Sequence, residues 1–308
     1  MSKSNTPGKI LSLLHLGLSV RERGVSMKFY QADMDSRVCK TQRSDAPYLG
    51  EVNGVKSGAV ADLAFIEYGE ERPMVELLDF INPVDIHREY KPGEPAYSHI
   101  GFRTKDVNAC YEKMIKKGLT PLTTPQRVDD GYAKGKGAFL LLDPDNMYVQ
   151  VVQDDVFEAG NGMIMDHDHV VMSVPNIDET IPVFRDLLCS DIEVEDVKGS
   201  KYLSSLCAKP VSRIAVCRSK LENYTVELWE TGDAGGVEDI YISASGSVHL
   251  CYKCAGIDNL YEEFKAKGMR FVNEPVTVTR GANKDSKAIF FHTPGYLWIE
   301  LICRKENL

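Results

Sequence analysis

Four stretches of the chain open on a histidine and continue as apolar or alternating residues. They are His15-Leu16-Gly17-Leu18-Ser19-Val20, His99-Ile100-Gly101-Phe102, His169-Val170-Val171-Met172-Ser173-Val174 and His249-Leu250-Cys251-Tyr252. Their length and alternation predict strands. Ala109 to Lys117 and Leu260 to Lys267 carry helix formers and stop at Gly118 and Gly268, where a C-terminal cap is expected. Asp178 to Leu188 also reads as a helix, with Asp178 as its N-cap and Pro182 in the first turn. The apolar runs Ala138 to Leu142 and Lys287 to Phe291 supply later strands.

The order of these elements repeats. Tyr111-Glu112 follows His99 at the distance at which Tyr261-Glu262 follows His249, and Lys117-Gly118 matches Lys267-Gly268 in the same way. Pro125 matches Pro275, and Gln150 stands where Glu300 does. A weaker pair starts at His15 and His169, each with an aromatic residue later (Tyr30, Phe184), and closes on Val75-Glu76-Leu77 and Val226-Glu227-Leu228. Self-similarity of this kind predicts a tandem architecture of four strand–helix–strands units. The stretch Asp154 to Gly162 reads as the linker between halves, and Thr41 to Gly58 as a long loop over the first unit.

Composition narrows the partners. The 308 residues suggest about two domains, and 43% hydrophobic with 26% charged residues is ordinary for a folded protein. The net charge of −9, with no basic run, argues against nucleic acid and anionic membrane as partners. The apolar stretch Ile10 to Val20 is too short to span a bilayer. Eight cysteines in a chain of this length predict reduced thiols and a cytoplasmic protein, monomeric or homodimeric. Cys251 and Cys254 form C-Y-K-C, but on a strand two such side chains face opposite ways and do not meet.

The phrases Leu14-His15-Leu16, His99-Ile100-Gly101-Phe102, Asp168-His169-Val170-Val171 and the closing Val-Glu-Leu and Ile-Glu-Leu strands resemble the vicinal oxygen chelate superfamily. Glyoxalase I, methylmalonyl-CoA epimerase, bleomycin resistance proteins and extradiol dioxygenases belong to that group. The resemblance implies an α+β fold of four βαβββ modules in two glyoxalase-like domains, 8–155 and 163–305, each with a curved mixed sheet. It also implies metal ligands at His15, Glu76, His99, Gln150, His169, Glu227, His249 and Glu300, one from the first and one from the last strand of each module. Modules pairing within halves and modules pairing across halves are both compatible with the sequence.

Imidazole and carboxylate together suit Ni, Zn, Fe, Co or Mn as divalent ions. The expected chemistry is that of an isomerase, epimerase or lyase that chelates vicinal oxygens of a small substrate and stabilises an enolate or enediolate. Glu300, Glu227 and Glu76 are the candidate bases. Gln150 can ligate through its carbonyl oxygen but cannot take a proton, so its own site is expected to differ. Arg103 and Lys253 lie four residues beyond their histidines, on the same strand face, and are candidates to hold an anionic group. An extradiol-type dioxygenase and a non-catalytic binding or resistance protein are the alternatives. The first lacks the expected tyrosine in Phe290-Phe291-His292-Thr293-Pro294, and the second does not need the ligand residues.

Overall fold

The computed structural model describes residues 6–308, apart from 46–47, 56–57, 69–72, 83–90, 95, 155–163, 165, 208, 233–240 and 281–282. His87 and most of the expected linker therefore lie outside the described residues. Four modules follow one another. The first comprises β1 (Lys9–Val20), α1 (Arg23–Met27) with a wider turn over Lys28–Asp33, β2 (Arg37–Ser44), α2 (Tyr48–Asn53), β3 (Val60–Glu67) and β4 (Met74–Asn82). The second has β5 (Ser98–Thr104), α3 (Val107–Lys116), β6 (Gln126–Arg127), β7 (Gly137–Leu142) and β8 (Tyr148–Gln153). The third has β9 (Asp166–Val174), α4 (Ile177–Pro182) running into a wider turn at Val183–Leu187, β10 (Ser190–Asp196), α5 (Lys201–Leu206), β11 (Arg213–Ser219) and β12 (Thr225–Glu230). The fourth has β13 (Val248–Ala255), α6 (Ile257–Ala266), β14 (Arg270–Phe271), β15 (Val276–Thr277), β16 (Lys287–His292) and β17 (Trp298–Cys303).

Most expected elements are present with shifted ends. The helix expected from Ala109 starts at Val107, because Asp106 caps it by accepting from the Asn108 and Ala109 N–H groups. Asn176, and not Asp178, caps α4. Gly118 and Gly268 end α3 and α6 at φ +86° and +87°, a left-handed step that glycine takes without steric cost. The segment read as a long loop, Thr41 to Gly58, instead contains the end of β2 and all of α2.

Two mixed sheets result, and neither follows the halves of the sequence. One runs β14-β16-β17-β13-β1-β4-β3-β2, the other β10-β11-β12-β9-β5-β8-β7-β6. The first joins modules one and four through antiparallel β1 and β13, and the second joins modules two and three through antiparallel β5 and β9. The spans 8–155 and 163–305 thus give one module to each sheet. Of the two pairings compatible with the sequence, the structure has the one across halves.

Strand alternation divides each sheet into two working faces. On β1, Leu16 and Leu18 enter the main hydrophobic core, which also takes Phe102, Phe139, Phe184 and Phe291 and so joins the backs of both sheets and their helices. His15, Gly17 and Ser19 point the other way. β5 and β9 are buried along their whole length, as central strands should be.

A polar latch ties the turn between β7 and β8 to the first module. The Tyr30 hydroxyl donates to Asp143 Oδ2 at 2.7 Å, and Ser26 Oγ donates to Asp145 Oδ2 at 2.9 Å. Burial pushes the Asp143 carboxyl up to about 7, with Asp145 adding to the shift and the Tyr30 hydrogen bond opposing it. Since the folded value is raised, the folded state binds a proton that the unfolded state releases. Stability from this group is full below pH 4 and is lost as pH rises through about 7. We expect Asp143→Asn to flatten the decline in stability between pH 4 and 7 seen in denaturant titrations, a change on the order of a few kcal/mol. An unchanged profile would show that Asp143 is ionised in the folded protein.

Candidate metal centre

The first sheet carries the first candidate site on its concave face. β1 and β13 meet so that His15 is opposite Cys251 and Gly17 is opposite His249. The flanking parallel strands β4 and β17 place Glu76 beside Gly17 and Glu300 beside Cys251. Four side chains from two modules therefore converge. His15 Nε2 lies 3.0 Å from Glu76 Oε2, 3.4 Å from Glu300 Oε2 and 3.3 Å from His249 Nε2. His249 Nε2 is 3.7 Å and 3.6 Å from the same two carboxylate oxygens.

These spacings suit a shared cation. Ligands about 2.1 Å from an ion are roughly 3.0 Å apart at right angles and roughly 3.4 Å apart in a tetrahedron. The donor set, two imidazole nitrogens and two carboxylate oxygens gathered at one buried point, also has the chemistry of a borderline divalent ion. Potential ligand atoms within 4.8 Å of one another form two triads that share His15, one with Glu76 and His249 and one with Cys251 and Glu300. Burial alone raises Glu300, but hydrogen bonds from His15 and His249 and their charge outweigh it and hold the carboxyl well below its usual range.

Glycine makes this geometry fit. A Cβ on Gly17 would lie inside the His249 imidazole ring. Phe65 and Phe290 support the pair from either side, at 6.1 Å from His15 and 5.1 Å from His249 between ring centroids. A cavity of about 310 Å³ opens over His15, Glu76 and Glu300. Leu14, Val52, Leu63, Phe65, Val278 and Phe290 give it apolar walls, and Lys40, Arg280 and Arg304 also line it.

The second sheet repeats the backbone arrangement with different contents. His99 is opposite Val171, Gly101 is opposite His169, and a Cβ on Gly101 would again occupy the imidazole. Gln150 and Glu227 come from β8 and β12. Here most of the groups are already engaged with the protein, the buried His99 Nε2 being the exception. The Tyr132 hydroxyl donates to Asp168 Oδ2 at 2.5 Å, and Asp168 Oδ1 meets His169 Nδ1 at 2.6 Å. His169 Nε2 meets Gln150 Oε1 at 2.8 Å, and Gln150 Nε2 donates to the Tyr202 hydroxyl at 2.6 Å. Both ring nitrogens of His169 thus face oxygen acceptors.

The other two residues of this quartet are enclosed as well. Glu227 accepts from the Trp229 indole N–H at 2.5 Å and from the Tyr132 backbone N–H. Burial raises its carboxyl, against those two hydrogen bonds. His99 Nδ1 lies 2.9 Å from the Tyr97 hydroxyl, and burial together with the nearby His169 holds the ring well below its ordinary value. Only about 10 Å³ of cavity is left among these side chains. Among the described residues, three or more His, Cys, Asp or Glu ligand atoms gather in the first sheet and not in the second.

The two cations expected to hold an anion are placed elsewhere. Arg103 is committed to a buried network, at 2.7 and 2.6 Å from the two Asp166 oxygens, 2.5 Å from Asp154 and 3.3 Å from Asp168. Its strand face is the one expected, but carboxylates fill the space. Lys253 is half-buried near the end of β13 and does not line the cavity. The cysteine expectation agrees with the structure. Cys254 packs into the main core, whereas Cys251 belongs to the apolar cluster on the site face.

Residues 14–139 match the family model described as the Glyoxalase/Bleomycin resistance protein/Dioxygenase superfamily. Lactoylglutathione lyase of Schizosaccharomyces pombe is 24% identical over 229 residues, 72% of this chain and 71% of that protein. The 2-epi-5-epi-valiolone epimerase of an Actinomyces species is 24% identical over 140 residues, 44% of this chain and 76% of that protein. Among solved structures, glyoxalase I from Zea mays superposes with a TM-score of 0.66 at 16% identity, covering 95% of this chain and 92% of that one. The resemblance to that superfamily is carried at the sequence level by residues 14–139, and the likeness to glyoxalase I extends the fold over nearly the whole chain. The α+β class with two curved mixed sheets is shown with it. No described helix is long and apolar enough to cross a membrane.

Proposed function

We propose that this protein is a divalent-metal-dependent isomerase, epimerase or lyase with one active centre, at His15, Glu76, His249 and Glu300. The observation that carries the reading is the convergence of those two imidazoles and two carboxylates, three of which, His15, Glu76 and Glu300, line the cavity. A divalent ion held there would act as a Lewis acid on adjacent substrate oxygens and acidify the neighbouring C–H bond.

The residues themselves supply the rest. In the strand order β17-β13-β1-β4, Glu300 and Glu76 come from the strands that flank the two histidine strands, so the two carboxylates approach the centre from opposite sides. One carboxylate can remove a proton while the other is positioned to return it on the opposite side, which is what an epimerisation needs. Proton return to a neighbouring atom of the same molecule gives an isomerisation instead. The apolar walls and Phe65 and Phe290 limit water around the reacting carbon.

In the second sheet, His99, Gln150, His169 and Glu227 act as a hydrogen-bonded plug that fixes Tyr132, Tyr202 and Trp229. We therefore expect one ion, not two, per chain after reconstitution with Ni²⁺, Zn²⁺, Co²⁺, Fe²⁺ or Mn²⁺, read by elemental analysis. Glu227→Gln should leave that ratio unchanged. Two ions per chain, one of them lost in Glu227→Gln, would refute the single-centre reading. Oxygen uptake by the Fe²⁺-loaded protein on a panel of catechols would move the assignment to ring cleavage.

A further inference from the structure

Lys40, Arg280 and Arg304 belong to neither the metal centre nor any buried ion network, yet all three line the same cavity. The chain as a whole carries −9, so three cations gathered around one opening need a cause. We propose that they form a subsite for an anionic group, a carboxylate or a phosphate, at the end of the substrate remote from the ion. This rests on the metal centre proposed above and specifies its substrate class.

Register places the subsite relative to the ion. Glu76 on β4 is paired with Phe65 on β3, and Phe65 is paired with Lys40 on β2. Cross-strand partners share a face, so Glu76, Phe65 and Lys40 form one row across the sheet. Two strand spacings separate the Lys40 backbone from that of Glu76 by about 10 Å. The ammonium lies 5.9 Å from the Phe65 ring centroid, and the same ring packs against His15.

The strand period continues the polar lining as Lys40, Gln42 and Ser44 along β2, all in the cavity wall. On the other module, Glu300, Ile302 and Arg304 follow the same period on β17 and just beyond it. Among the described residues Lys40 and Arg304 have no carboxylate partner. Arg280 has only Asp45, at 3.9 Å and with both side chains about two-thirds exposed, a pair of little strength.

Asn53 also lines the cavity. Asn53 is 6% exposed and donates through Nδ2 to the Leu49 carbonyl at 2.9 Å, while its buried Oδ1 has no partner. The substrate class is thus an elongated small molecule with adjacent oxygens at one end. It carries an acid group at the other end, at a distance set by the two strand spacings of about 10 Å between Glu76 and Lys40.

The test uses hydroxamates, whose two adjacent oxygens occupy the ion, on the full-length metal-loaded protein. Succinic, adipic and suberic monohydroxamates and their methyl esters are titrated by calorimetry at low salt. The acids should bind at least about tenfold tighter than the esters at the best chain length. That preference should vanish in the Lys40→Met/Arg304→Met double variant and shrink in 0.5 M salt, where the Debye length is only a few ångström. Metal content and melting temperature of the double variant are measured alongside and should match the parent. Phosphonates of the same lengths then decide between a carboxylic acid and a phosphate ester by which binds more tightly. Equal binding of acid and ester overturns the subsite and leaves the metal centre standing. A preference that survives in the double variant overturns its assignment to these residues. Failure of both compounds to bind overturns the chelating centre, and this inference with it.

Discussion

Alanine at Glu300 or at Glu76 is expected to remove the bound ion and with it activity, by a factor on the order of 10² or more. Each carboxylate reaches both histidines at 3.0–3.7 Å, so deleting either leaves a three-donor remnant with a gap on one side. The measurement is metal content after dialysis against a weak chelator, together with turnover once a substrate is found. Glu→Gln at the same positions separates two roles. The amide keeps a ligating oxygen but cannot accept a proton, so metal should be partly retained while turnover is lost. Full metal retention in both alanine variants would remove the carboxylates from the centre.

Gly17→Ala and Gly101→Ala are geometrically the same substitution with different expected outcomes. In each, the new methyl group occupies the space of an imidazole on the facing strand. Both should cost about 2–3 kcal/mol, the cost of forcing a methyl group into a packed site, and both should lower the melting temperature. Only Gly17→Ala displaces a proposed ligand, His249, so only it should release metal. Gly101→Ala displaces His169, whose ring is tied to Asp168 and Gln150, and metal content should stay at the parental value. Metal loss in both variants would mean that the second quartet also holds an ion.

The repeat makes much of this arrangement legible. A histidine opening a strand and a Glu or Gln closing one recur at matched spacing, and that periodicity together with the family resemblance singles out all eight residues. What it does not contain is the partner of each edge. The pairing of β1 with β13 depends on register between strands 234 residues apart at the His15–His249 contact, and no local pattern encodes that. Nor does it distinguish the two quartets beyond Gln150. Their difference lies in Tyr132, Tyr202 and Trp229, which reach the second quartet from a turn, a short helix and a strand. Lys40 carries no signal along the chain, because its relation to Glu76 runs across strands. Arg103 misleads for a similar reason. Its face follows from the strand period, while Asp154 and Asp166, which occupy that face, come from other strand ends. The two crowded crossings do leave one local mark, a glycine two residues after His15 and again after His99, in Leu16-Gly17 and Ile100-Gly101.

The nesting of the two sheets also bears on how the chain reaches its native state. The second sheet is drawn from one continuous stretch, β5 to β12, whereas the first is drawn from the segments on either side of it. During synthesis the inner sheet can complete its strand pairing while the fourth module is still unmade. One side of β1 must then wait, unpaired and largely apolar, until Val248–Ala255 emerges. Loop closure over that distance is slow, and an open strand edge invites pairing with another chain. The proposed ligands His15 and His249 therefore come to share a sheet only after Val248–Ala255 has been made.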